Sequence, residues 1–113
     1  MYNNDNIDIH HIFPRAYCRN KGIPANLYNS IVNKSPLSAM TNRSIGGNAP
    51  SAYLQFLEKE KDISGEALDE ILKSHLIDVE SIRSDDFETF FEKRKEALYK
   101  KILAAMGQYN YNF

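Results

Sequence analysis

Apolar and polar positions alternate where order first shows: Ile7 and Ile9 interleave with Asp8 and His10, the two-residue period of a short strand. Pro14 then permits a helix to begin, with Arg15 to Lys21 as its body and Gly22 as its stop. Residues 23–28 read as irregular, because Pro24 breaks them. Residues 31–37 start apolar and β-branched and read as a second strand pairing with the first, while Pro36 confines it to an edge or a bulge. Ser38 suits the N-cap of a short helix over 39–45, closed by Gly46-Gly47.

Near Pro50 the period changes to that of helices. The pattern predicts a helix from Pro50 to about Glu60 with Tyr53, Leu54, Phe56 and Leu57 on its apolar side. A second runs from a Ser64 cap to about Ser74 and buries Ala67, Leu68, Ile71 and Leu72. In the last helix Asp85 and Glu88 have capping-box spacing, and Phe87, Phe91, Leu98, Ile102 and Met106 form one stripe flanked by Phe90 and Ala105. Gly107 is expected to end it, and residues 108–113 form an aromatic and polar tail. The pattern predicts an α+β chain: a short two-stranded sheet and short helix, then a mainly helical half.

Composition sets limits. A chain of 113 residues is one domain, expected to be a fragment of a longer protein. Hydrophobic residues make 42% of it, too many for a disordered chain. No apolar run approaches the roughly 18 residues of a membrane span, so no membrane association is expected. The single Cys18 excludes an internal disulfide framework and fits a reducing, cytoplasmic setting as a small buried side chain. The net charge of −1 hides an asymmetry. Residues 1–50 carry five basic and two acidic side chains, and residues 51–113 carry nine and thirteen. The halves are therefore +3 and −4, and an anionic partner would meet the first.

The densest chemistry is Asp8-Ile9-His10-His11-Ile12-Phe13-Pro14. Asn33 follows His11 by 22 residues, Asn42 follows Asn33 by nine, Arg43 comes next, and Pro50-Ser51 opens a helix. Taken singly, adjacent histidines are surface or core residues, and asparagines are turn and cap residues. The conjunction is what carries chemistry. An imidazole accepts a proton near neutral pH, which suits a residue that must deprotonate water. Hydrolysis of an anionic phosphodiester also needs charge shielding, which a divalent ion supplies.

This set resembles the HNH, or ββα-metal, endonuclease core over about residues 7–54. With Asn29-Ser30-Ile31-Val32-Asn33, Thr41-Asn42-Arg43-Ser44-Ile45-Gly46-Gly47 and Ala49-Pro50-Ser51 it is most similar to the C-terminal HNH domain of GmrSD-type restriction proteins, which attack modified phage DNA. Residues 55–113 carry no such motif and form a helical extension. The resemblance implies a metal-dependent DNA endonuclease in phage defence, paired with a nucleotide-hydrolysing domain. It implies that His11 is the general base, His10 and Asn42 hold one ion, Asn33 braces the loop around His11, and Arg43 touches phosphate.

Asp8 shares a strand face with His10 and would ligate or orient from there. Arg15 and Lys34 are candidate contacts to the DNA backbone. Mg²⁺ or Mn²⁺ is expected. Many relatives carry a carboxylate where His10 stands, and an imidazole suits Mn²⁺, Ni²⁺, Co²⁺ or Zn²⁺ better than Mg²⁺. Gly46 stands where colicin-type relatives add a histidine ligand. Strict alternation would turn His10 and His11 to opposite faces, so a strand end or bulge is needed for both to reach one phosphate. His75 reads as a helix-end residue and not a ligand. Two other readings are an inactive nucleic-acid-binding or interaction module on the same scaffold, and a bacteriocin toxin domain. The acidic second half argues against the latter.

Overall fold

Two short strands pair antiparallel in the computed structural model, which describes residues 8–37 and 47–110. Strand β1 is Asp8–His11 and β2 is Lys34–Leu37. Their register sets Asp8 opposite Leu37, Ile9 opposite Pro36, His10 opposite Ser35 and His11 opposite Lys34. Pro36 is tolerated because its strand has β1 on one side and no other strand of the described residues beyond it. The connection between the strands holds α1 (Arg15–Asn20), α2 (Ala25–Tyr28) and a 3₁₀ turn, Ile31–Asn33. Four helices follow: α3 (Pro50–Glu60), α4 (Gly65–Ser74), α5 (Val79–Arg83) and α6 (Phe87–Asn110). The class is α+β with a mainly helical second half, as the hydrophobic pattern predicts.

Three local expectations are corrected. Pro24 does not leave its segment irregular: it stands at the N-cap of α2, where its missing N–H costs nothing. The apolar start of the second strand is a 3₁₀ turn, opened by Ser30, whose Oγ accepts from Val32 N at 3.1 Å. Gly107 does not stop the last helix, which continues through it to Asn110. The short helix expected over 39–45 lies outside the described residues.

Four of the six described helices stop by a common device. Gly22, Asp62, Leu76 and Asp85 have φ of +75°, +54°, +61° and +58°, each two residues beyond a helix. After α4, Ile77 N donates back to Leu72 O at 3.0 Å and Leu76 N to Lys73 O at 2.9 Å, the paired bonds of a Schellman ending. Buried Leu72 and Ile77 flank that turn. The ending after α5 places Asp85 so that its carboxylate accepts from Ser51 N at 2.8 Å and Ser51 Oγ at 2.6 Å. Asp85 therefore caps α3, whose own N-cap, Ala49, has no side chain to do so. The cap of α6 is Asp86, which accepts from Thr89 N at 3.2 Å.

The core joins both halves. Ile12 and Phe13 from the first half are buried with Leu54, Leu57, Ile82 and Phe90 from the second. The Phe13 ring meets Phe90 at 4.8 Å and Phe87 edge-on at 5.2 Å. Fully burying such side chains contributes about 1.5–3 kcal/mol each. The helix stripes are narrower than the pattern suggests: Phe56, Ile71, Ile102 and Met106 are all over 40% exposed, and Ala67 is exposed too.

Candidate active site

The segment that follows His11 is held at every backbone polar group. Ile12 N donates to Asn33 O at 2.7 Å, and Tyr53 Oη donates to Ile12 O at 2.7 Å. Phe13 N donates to Asn33 Oδ1 at 2.8 Å, and Asn33 Nδ2 donates to Phe13 O at 3.0 Å. The same Nδ2 also donates to Tyr28 O at 2.9 Å. Asn33 is fully buried, so its amide spends all this capacity on backbone. It ties the His11 loop to the end of α2. Burial lifts the Tyr53 hydroxyl well above its ordinary pKa, with Asp85 adding to the effect, so Tyr53 stays a donor.

His11 closes β1 and is half-buried. Its Nε2 lies 2.9 Å from Asn29 Oδ1, and its ring is 6.3 Å from the Tyr28 ring. Lys34, opposite it in the register, is half-buried and shares its face. Arg15 is exposed at the start of α1. His10 pairs with Ser35 and shares that residue's face. The two histidines thus belong to opposite faces of the strand pair, as simple alternation requires.

The Ser35 face is the one the helical half covers. Buried Ser35 has its Oγ 2.6 Å from His75 Nδ1. His75 is the C-cap of α4, in keeping with a helix-end role. Burial, and then the nearby Arg94 cation, hold its imidazole below the ordinary pKa. Arg94, on α6 and itself buried, donates to His75 O at 3.1 Å, Ile31 O at 3.3 Å and Val32 O at 2.8 Å. One guanidinium therefore fastens the 3₁₀ turn ahead of Asn33 to the helices.

Of the remaining predicted residues, Asn42 and Arg43 lie outside the described residues, as does the Asp8 side chain. The chain on either side of 38–46 is placed. Leu37 closes β2 opposite Asp8, and Gly47 rests so near α1 that an added Cβ would come 3.3 Å from Ala16 Cβ. Among the described residues no three His, Cys, Asp or Glu side chains gather as a metal site. His10 is the described member of the expected donor set. Cys18 is buried, its thiol pushed up to about 11 by that burial, which makes it inert.

The sequence does not mark Asn29, Tyr53, Ser35 or Arg94 as site residues. Their partners lie 18 to 63 residues away, and no local pattern signals such pairs.

No known family profile matches the chain, and no solved structure matches it. It is 35% identical over 129 aligned residues to MJ0686, an uncharacterized protein of Methanocaldococcus jannaschii. The alignment covers 91% of this chain and 22% of that protein, so the chain spans about a fifth of the relative's length. No helix among the described residues is long and apolar enough to cross a membrane.

Proposed function

We propose that this chain is a metal-dependent DNA endonuclease domain of the HNH kind, working in phage defence beside a nucleotide-hydrolysing partner in the cytoplasm. The observation that carries the reading is the buried Asn33 amide, which pins the loop behind His11 to α2 through three hydrogen bonds. A general base must hold its ring against water and phosphate, and an immobilised backbone provides that.

In this reading His11 takes a proton from the attacking water. Lys34, on the same face, and Arg15, at the start of α1, receive the DNA backbone, with Arg43 on the scissile phosphate. His10 and Asn42, with Asp8 beside them, would hold one divalent ion; because His10 lies on the face opposite His11, the two serve one phosphate only around the end of β1 at His11. The described chain reaches Leu37, opposite Asp8 at the start of β1, and resumes at Gly47, against Ala16 of α1. Such an ion shields charge on the phosphate. The imidazole of His10 favours Mn²⁺, Ni²⁺, Co²⁺ or Zn²⁺ over Mg²⁺ as that ion.

Plasmid nicking tests the proposal. The purified chain should nick supercoiled DNA with Mg²⁺, Mn²⁺ or Ni²⁺, and EDTA should abolish the cutting. His11→Ala should lower the rate by about 10²–10⁴-fold. A His11→Ala protein that cuts as fast as its parent with all three ions overturns the assignment of the base.

A further inference from the structure

Resting on the nuclease reading, we propose that Asn29 is a positioning residue that holds His11 as its Nε2–H tautomer and so leaves Nδ1 as the atom that takes the proton. The Asn29 Oδ1 carries no hydrogen, so the 2.9 Å contact is a hydrogen bond only when His11 Nε2 donates it. A neutral imidazole has one N–H, which puts the lone pair on Nδ1.

Asn29 is anchored well enough for this work. Its N–H donates to Ala25 O at 2.9 Å. The carbonyl before it, on Tyr28, accepts from Asn33 Nδ2 at 2.9 Å. Ser30, after it, caps the 3₁₀ turn. The Tyr28 ring, tilted 58° to the His11 ring, packs beside the imidazole. Asn33 thus reaches His11 by two routes: directly through the loop backbone, and through Tyr28 to Asn29. The Asn29 side chain is exposed, so replacing it leaves the core intact.

The test reads the tautomer on the whole 113-residue chain by ¹⁵N chemical shifts of the His11 ring, at a pH above which those shifts no longer change. The wild-type ring should show a protonated Nε2 and an unprotonated Nδ1. In Asn29→Ala the two shifts should move toward each other as the second tautomer appears, and in Asn29→Asp they should stay apart because the acceptor is kept. Plasmid cleavage should follow: kcat falls about tenfold in Asn29→Ala with KM unchanged, and Asn29→Asp restores it. Wild-type shifts already averaged, or Asn29→Ala shifts identical to wild type, overturn the proposal. A tautomer that Asn29→Ala releases in a chain that cuts no DNA supports positioning by Asn29 and overturns the nuclease reading alone.

Discussion

Asn33 shows how much one buried side chain can organise. Its amide makes three hydrogen bonds to backbone, on two segments far apart in sequence, and shares only the Phe13 carbonyl with another described side chain, the Cys18 thiol at 3.7 Å. Asn33→Ala leaves one N–H and two carbonyls without this partner in a dry interior, each costing about 1–3 kcal/mol. The expected loss is about 3–5 kcal/mol, read as a lower urea midpoint at unchanged m-value. Asn33→Asp should fare no better: it keeps the acceptor for Phe13 N but sets a carboxylate against the carbonyls of Phe13 and Tyr28. The sequence marks Asn33 by its interval from Asn42. It does not mark Asn29 as a partner of His11, because a side-chain contact 18 residues away leaves no periodic trace.

At the scale of elements, the chain's helices end by geometry that the sequence announces only once. Gly22 is the residue expected in a left-handed position, whereas Asp62, Leu76 and Asp85 adopt it at a cost that surrounding packing meets. Asp85 gains most from it, since the turn carries its carboxylate to the first turn of α3. Asp85→Ala should destabilise by about 2 kcal/mol, from the lost cap and the retained backbone strain. Asp85→Gly should cost less, because glycine adopts this φ freely, and Asp85→Asn least. Thermal melts of the three variants check the order. The capping-box spacing of Asp85 with Glu88 points to the wrong helix here, because sequence spacing is blind to a partner 34 residues away.

Across the whole molecule, the acidic helical half fastens the segment that carries the candidate site. Phe13 sits among the rings of α6, Arg94 holds the 3₁₀ turn, and His75 meets Ser35 on β2. Arg83 performs a similar service within that half, bridging Glu58 on α3 and Asp69 on α4 at 2.9 and 2.8 Å. Burial of His75, with the Arg94 cation beside it, makes the junction pH-sensitive. Its folded pKa lies below the ordinary 6.5, so below that pH the unfolded chain binds a proton that the folded one resists. This contribution is complete above about pH 6.5 and is lost as pH falls toward the folded pKa. His75→Gln should therefore show a smaller drop in Tm than wild type between about pH 7.5 and about pH 5. Equal drops would mean that His75 titrates alike in both states.

Local pattern alone determined the class of this protein, the two strands among the described residues, the α3, α4 and α6 helices and the segment proposed to carry its chemistry. Periodicity, proline and capping residues act within a few positions, so a single chain read in order displays them. The tertiary structure decided which half of each apolar stripe is buried, because burial depends on whether another element arrives to cover it. It decided that Pro24 starts a helix and that Gly107 does not end one. It also decided the company of His11, through the cross-chain bonds of Asn29, Asn33 and Tyr53. Such bonds form only after distant segments are brought together by the burial of Phe13, Leu54 and Phe90, and the free energy of that burial belongs to the assembled core and to no local stretch of the chain.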